Sequence, residues 1–333
     1  MRVLCALLKY DYGIKERGAS LEFSAFYPAI QSAVQEVIPF WLEEHGFSDD
    51  LDKLQSNLLE KAKEIKPDLV LFCLMRDEIR METITLLNQF TQTTNWFCDD
   101  RWRFHNYSRY LAENLSYCIT TDRYSVASYK QLGFGDKVIL SQWATNELIS
   151  QDAFVKREQK YNVTFIGGYH PYRGYVVKEL SKRGINVECF GTGWANGRIS
   201  FERMAEVNLT SRISLNLSNS ISPDIKYVLS SIKALKDYLN SKKRVLELKA
   251  RNFEIIGGGG FLLTFYSVGL EHYFDIGREL AIYTSIDDLA LQINYFLTNG
   301  EERERIRTLG FSRVQQHTYN DRFRAIFEEI EKK

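Results

Sequence analysis

Four short segments carry residue types that can do chemistry, and each follows an apolar run. The first is KYDYGIKERGAS, residues 9–20, where Asp11, Tyr12 and Arg17 lie among glycines that let the backbone turn tightly. The second is DDRWRFH, residues 99–105. Asp99 or Asp100, beside arginines and His105, could act as the general base that takes a proton from a hydroxyl. The third is GGYHPYRG, residues 167–174. Gly167 and Gly168 allow close backbone approach, a helix N-terminus favours an anion, and Arg173 can bond phosphate oxygens in bidentate fashion. The spacing is not GxGxxG, so it does not point to a dinucleotide. The fourth is KARNFEIIGGGG, residues 249–260. Lys249 and Arg251 could neutralise a diphosphate leaving group, and Glu254 could accept both hydroxyls of a ribose. One glycine ends a helix, so a run of four that includes Gly258 and Gly259 implies that something comes close to the backbone. Each segment also has a plain reading: a surface loop, an N-cap with a paired neighbour, a turn with a solvated arginine, a charged helix face.

The elements that must position these segments alternate between short apolar runs and amphipathic stretches, the pattern of parallel sheets with helical crossovers. Strands are expected at 3–8, 68–74, 94–98, 117–121 and 137–142. Phe23, Phe26, Ile30, Val34, Val37 and Trp41 recur at steps of three and four and predict one helix; 51–62, 78–90 and 124–132 predict three more. The polar stretch 146–160 reads as a linker. The series then restarts, with strands at 163–166, 187–190, 213–217, 261–265 and 280–283. Helices are expected at 172–183, 201–212, 224–239, 245–256, 286–298, 301–316 and 320–332. The expected fold is α/β: two tandem Rossmann-like domains, 1–150 and 160–318, with parallel sheets facing across a cleft and the terminal helix, 319–333, packing back on the first domain.

Composition narrows the function. The 333 residues hold 43 basic and 43 acidic side chains, and a neutral chain is a poor duplex nucleic-acid binder, so no nucleic-acid partner is expected. The five cysteines, Cys5, Cys73, Cys98, Cys118 and Cys189, have no CxxC spacing; they read as reduced thiols in a cytoplasmic protein, without a zinc site. The first apolar run is too short for a secretory signal, and no window is long enough to span a bilayer.

The run KARNFEIIGGGGFLLTFYSVGLEHYF, then GRELAIYTSIDDLALQINYFLTNGEERERIRTLGFSRVQQHTYNDR, resembles the C-terminal half of the spore-maturation, CgeB-like glycosyltransferase family. VTFIGGYHPYRGYVVKEL and CFGTGW fit the same half, while DYG…RGASLEF and NWFCDDRWRF look like N-terminal domains found with it. That family is similar to the wider glycosyltransferase family 4 group, of GT-B fold. The resemblance implies transfer of a sugar from a nucleotide-diphosphate sugar, with no cofactor and no obligatory metal. It makes Arg173, Lys249 and Arg251 phosphate contacts and Glu254 the second carboxylate of a Glu-x7-Glu motif that holds the ribose. The pattern departs at the first carboxylate, because Leu246 stands eight positions before Glu254 and Glu247 leaves a gap of only six. Retention and inversion therefore both stay open. Thr264 and Glu271 are further donor-side residues. Asp11, Tyr12 and Arg17 would face a glycan or glycolipid acceptor of cell-surface polysaccharide synthesis, with Asp99, Asp100 and His105 as the catalytic group. Such an acceptor would bring the protein to the inner face of a membrane. A sugar-nucleotide epimerase of similar architecture, and a non-catalytic nucleotide-binding scaffold, are the competing readings. Oligomeric state is not legible.

Overall fold

The computed structural model describes residues 1–146, 149–217, 224–243 and 245–333. The chain divides into two compact units: Met1–Trp143 with Tyr319–Lys333, and Ala144–Thr318.

Unit 1 is a sheet of six strands: β1 Arg2–Leu7, β2 Glu36–Trp41, β3 Leu69–Phe72, β4 Gln92–Phe97, β5 Tyr117–Thr120 and β6 Val138–Leu140. They run parallel in the order β2-β1-β3-β4-β5-β6. β3 and β5 are buried at every residue, as expected for strands covered by helices on both faces. The helix Leu51–Ile65 shows how such cover is built. Asp50 caps it by accepting from the Lys53 amide at 3.0 Å, and Leu54, Leu58 and Ala62 form its buried stripe.

One expectation fails here. The periodic run from Phe23 to Trp41 is not a single helix. A π-helical turn, Glu22–Phe26, continues into a helix, Tyr27–Ala33, and the chain then becomes β2. Val37 and Ile38 are β-branched, and Pro39 lacks an amide hydrogen, which an edge strand tolerates and a helix interior does not. The side chains of Phe23 and Trp41 still meet, at 5.2 Å between rings, because strand and helix bury apolar groups against the same layer. Periodicity alone could not separate the two arrangements. A short helix, Ser108–Asn114, also went unread in the sequence. The terminal helix Tyr319–Lys332 lays Tyr319 and Phe323 on Phe26, at 5.1 and 5.2 Å between rings.

Unit 2 has β7 Tyr161–Ile166, β8 Glu188–Phe190, β9 Ser211–Asn216, β10 Leu262–Phe265 and β11 Ala281–Tyr283, parallel in the order β11-β10-β9-β7-β8. Its core is built by Val163, Phe165, Leu215, Leu263, Leu289 and Ile293, all essentially inaccessible. The stretch 146–160 is more than a linker. It contains a helix, Gln151–Val155, and Phe154 stacks on Phe311 at 4.2 Å. Arg157 donates to the carbonyls of Leu209 and Ser211, at 3.0 and 3.1 Å. The helix expected from Val245 begins only at Arg251 and ends at Gly257. The insertion 224–239 is two helices, Ile225–Val228 and Ile232–Asn240, opened by Asp224 and Ser231 as caps.

Each unit repeats one topology. Strand order reverses between β1 and β3 in unit 1, and between β7 and β9 in unit 2. In open parallel sheets, ligands bind beyond the carboxyl ends of the strands at such a reversal.

Candidate functional site

At the reversal of unit 2, β7 runs into Gly167 and Gly168. The Gly167 amide donates to Phe190 O at 2.7 Å, the Tyr169 amide to Thr192 O at 2.7 Å, and the Trp194 indole to Gly167 O at 2.8 Å. The loops after β7 and β8 are thus held against each other. Gly191 has φ 129°, and a Cβ there would meet Gly167 O at 2.4 Å. His170 then caps the helix Pro171–Ser181 through its Nδ1, which accepts from the Tyr172 amide.

Arg173 lies in the first turn of this helix and straddles the reversal. Its Nη1 donates to Gly168 O at 2.7 Å and its Nε to Leu217 O at 2.9 Å. Arg251, the first residue of the helix Arg251–Gly257, comes to the same place. A Cβ on Gly167 would stand 2.9 Å from Arg251 Nη1, and both guanidinium groups lie near the Phe165 ring. Burial pushes Arg173 down to about 9, and the charge of Arg251 pushes the same way. Burial also lowers Arg251, partly offset by Glu254 one turn along. Glu254 is raised by burial and lowered again by Arg251.

Beneath the arginines is a buried polar network. Asn216, the last residue of β9, donates to Asn252 Oδ1 at 2.8 Å and to Thr264 Oγ1 at 3.1 Å; Thr264 donates to Asn252 Oδ1 at 3.1 Å. The network ties β9, β10 and the start of the helix Arg251–Gly257 together. Two buried donors are left over: Arg251 Nε and Asn252 Nδ2 have no hydrogen-bond partner. A buried donor without a partner costs roughly 1–3 kcal/mol, and an anion at the site would offset it. Two half-buried cations side by side, with orphaned donors, are built for an anion.

The remaining candidates for the donor side have partners of their own. Lys249 is ion-paired with Glu247 at 2.6 Å, and that glutamate side chain is only 10% exposed. Glu271 sits in the turn Leu270–His272 and accepts from Tyr266 OH at 3.1 Å. The glycine run requires a correction. The neighbour that comes close is the chain's own: a Cβ on Gly257 would meet Thr145 Oγ1 at 2.0 Å, and one on Gly259 would meet Ile149 Cδ1 at 2.4 Å. Gly258 faces Ala205 and Asn208, and Arg307 holds Gly259 O at 3.0 Å. Gly258 and Gly259 serve packing inside unit 2.

Unit 1 gathers a different set at its own reversal. The loop after β1 is closed on itself: Asp11 N donates to Gly18 O at 3.0 Å, and Lys9 N and Tyr10 N donate to the Glu43 carboxylate at 2.9 to 3.1 Å. Tyr12, at φ 56° and 58% exposed, stands out from it with Arg17 over its ring at 5.2 Å. The Tyr12 hydroxyl is raised by burial and then by the charges of Asp11 and Asp99. The charge of Asp99, in the loop after β4, thus acts on the loop after β1.

The two adjacent aspartates part company. Asp99 precedes the short helix Asp100–Arg103 and is half-buried toward Tyr12. Asp100 is 1% exposed and accepts from Tyr129 OH at 2.9 Å through one carboxylate oxygen, the other having no hydrogen-bond partner among the described residues. Burial raises it to about 6; Asp100 belongs to the core of unit 1 and not to the exposed loop, which speaks against it as the base. His105 is exposed and edge-on to Phe104.

Sequence reading missed Glu22, Cys73, Asn216, Asn252 and Trp194. Glu22 is raised to about 7, first by burial, with the charge of Asp11 adding to it, while the neighbouring Ser20 hydroxyl donates to Leu8 O at 2.7 Å. Cys73 and Cys98 end β3 and β4 with sulfurs 3.8 Å apart. The available signal was position: Cys73, Asn216 and Trp194 close or follow a strand, while Glu22 and Asn252 do not. Among the described residues, no group of three or more His, Cys, Asp or Glu could hold a metal ion.

Residues 173–328 match a family model described as glycosyl transferase-like. No curated protein sequence matches the chain. Solved structures similar to it along its whole length include HepE of Anabaena in complex with UDP-glucose, at TM-score 0.62 and 10% identity, covering 100% of both chains. Sucrose-phosphate synthase of Thermosynechococcus elongatus has TM-score 0.63 and 11% identity, covering 100% of this chain and 98% of that one. The lipopolysaccharide outer core galactosyltransferase WaaB, in apo form, has TM-score 0.60 and 11% identity, covering 100% and 99%. At such identities the likeness is one of fold. With its parallel sheets of six and five strands, this chain has the GT-B fold.

Proposed function

We propose that this chain is a glycosyltransferase that moves a sugar from a nucleotide-diphosphate sugar to a hydroxyl of a glycan or glycolipid, in cell-surface polysaccharide synthesis. The observation that carries the reading is the pair Arg173 and Arg251 beside Gly167, at the strand reversal of unit 2, with buried donors left over. When a sugar leaves a nucleotide, negative charge grows on the diphosphate, and preorganised cations stabilise it without reorganising. Glu254, one turn from Arg251, has the chemistry to accept ribose hydroxyls. The family match begins at Arg173 and includes Arg251, Glu254 and Glu271. Within the class, the CgeB-like resemblance, strongest over about residues 160–325, is the finer assignment. On the acceptor side Asp99 is the candidate base, because Asp100 is buried and Asp99 faces the loop that carries Tyr12. Such a base is needed if the reaction inverts; a retained anomeric configuration would remove that role from Asp99.

The experiment is a melting-temperature panel of nucleoside mono- and diphosphates and their sugar conjugates, followed by product analysis. A ligand that binds only the native state raises the midpoint by mass action. The reading expects diphosphates to stabilise more than monophosphates, and the best nucleotide sugar to be consumed when a hydroxyl acceptor is added. Interconversion of the nucleotide sugar without transfer would make the protein an epimerase. Binding with no turnover of any donor would make it a scaffold.

A further inference from the structure

The two helices Ile225–Val228 and Ile232–Asn240 bury Tyr227, Val228 and Ala234 but leave several aliphatic side chains in solvent. The six most exposed large aliphatic residues among those described are Ile232 (87%), Ile225 and Leu229 (71% each), Leu291 (70%), Val155 (69%) and Leu239 (65%). Three of the six fall on this one pair of short helices and a fourth, Leu229, on the turn between them. Ile232, Leu235 and Leu239 recur at steps of three and four and share a face of the second helix. Only Ala234 on that helix is buried, so the helix is tethered to unit 2 by a narrow contact and turns its broad apolar side outward. Soluble proteins seldom leave such aliphatic groups clustered in water without a partner.

Charge indicates which partner. Residues 224–243 carry Lys226, Lys233, Lys236, Lys242 and Lys243 against Asp224 and Asp237, in a chain whose net charge is zero. Lys226 reaches Asp287 at 3.3 Å, an exposed pair that binds it only weakly. Lysines flanking an outward apolar face are the pattern of a helix that lies in a bilayer interface, with the aliphatic groups among the acyl chains and the ammonium groups at the phosphates. No helix among the described residues is long and apolar enough to cross a membrane, so the contact is one of surface seating.

We propose that the helical pair 224–243 seats unit 2 on an anionic phospholipid bilayer. The seat does not depend on which reaction the protein catalyses. It would bring the protein to the surface where a lipid-linked acceptor is found. A second copy of the chain could cover the same face through its aliphatic groups, but two such copies would bring their lysines together.

The test is flotation of the full chain, without nucleotide, with phosphatidylcholine vesicles that contain or lack phosphatidylglycerol. Wild type is expected to float with the anionic vesicles and to stay behind with the neutral ones. Ile232→Ser with Leu239→Ser removes two exposed anchors without touching the core, and should lower the partition coefficient about tenfold or more. Lys233→Gln with Lys236→Gln should abolish the preference for anionic vesicles. An Ile232→Trp variant should shift its emission to the blue on anionic vesicles only. Equal flotation of wild type and the Ile232→Ser, Leu239→Ser variant would overturn the proposal, as would no flotation of wild type. A wild-type dimer that this variant converts to monomer would also overturn it, by assigning the face to self-association.

Discussion

In unit 2 the crevice between β7 and β9 is occupied by two guanidinium groups, Arg173 and Arg251. In unit 1 the matching crevice between β1 and β3 is bordered by Glu22 and Cys73, with Asp11 and Asp99 around Tyr12 nearby. The strand order is the same and the electrostatics are opposite. Burial acts on both sets but leaves them in different states. Arg173 falls to about 9 and stays charged near neutrality, while Glu22 rises to about 7 and is poised to take or release a proton. One edge holds two cations and the other holds carboxyls. On the function proposed above, the first would stabilise a leaving group and the second would handle a proton.

The comparison breaks most visibly if its cations are removed. Arg251→Ala should weaken nucleoside diphosphate binding by about a hundredfold, since hydrogen-bonded charges in partly desolvated sites carry roughly 2–5 kcal/mol. The empty protein should change little in stability, because removing Arg251 relieves the like-charge contact with Arg173 but gives up the attraction to Glu254. Calorimetric titration and a melting curve read the two effects separately. A loss of similar size, but in turnover alone, is expected in unit 1. Asp99→Asn should lower transfer about a hundredfold with donor affinity unchanged, the usual scale for a general base. A variant that keeps near-normal transfer would leave unit 1 without its proton acceptor.

Two glycine substitutions sharpen the contrast between ligand space and packing space. Gly257→Ala drives a methyl against Thr145 Oγ1, and should destabilise the fold by about 1–3 kcal/mol in urea unfolding. Gly167→Ala drives one against the buried Phe165 ring, 2.8 Å from Cζ, as well as toward Arg251 Nη1 at 2.9 Å; it should cost stability too, but in addition displace the guanidinium and weaken diphosphate binding by about tenfold, which Gly257→Ala should not. A last effect, spread over a range of conditions, is one of pH. Asp100 is raised to about 6, so between about pH 4 and 6 the folded state keeps a proton that the unfolded chain has released. Stability should therefore fall as pH rises through that window, by up to about 3 kcal/mol, and be insensitive to this group above it. Urea midpoints across the window should show that slope in wild type and lose it in Asp100→Asn.

The strand–helix alternation was legible because parallel strands are buried on both faces and announce themselves as short apolar runs. β2 was not, because Val37 and Trp41 continue the helical spacing of Phe23, Phe26 and Ile30, and only pairing with β1 decides between the two. In the candidate site, Arg173 and Arg251 could be read from their loops, since a basic residue beside glycines after a strand has few structural uses. Their convergence on Gly167 could not, being set by the packing of two helices remote in sequence. The glycine run misled, because glycine reports close approach without saying by what, and here it is Thr145 and Ile149. Asp99 and Asp100 looked equivalent as neighbours. Backbone geometry alone turns one toward Tyr12 and the other into the core with Tyr129. Glu22 carried no signal, since a glutamate two residues beyond a helix-capping serine is ordinarily solvated.

The central claim is that unit 2 binds a nucleoside diphosphate through the arginine pair. Isothermal titration of UDP and UMP into wild type and Arg173→Ala, Arg251→Ala protein tests it directly. The account predicts that wild type binds the diphosphate well above the monophosphate, and that the double variant, still folded by its melting curve, binds both alike and weakly. Should UDP fail, the other nucleoside diphosphates are titrated in the same way. A folded double variant that keeps wild-type affinity for the preferred diphosphate, or a wild type that binds none of them, would contradict it.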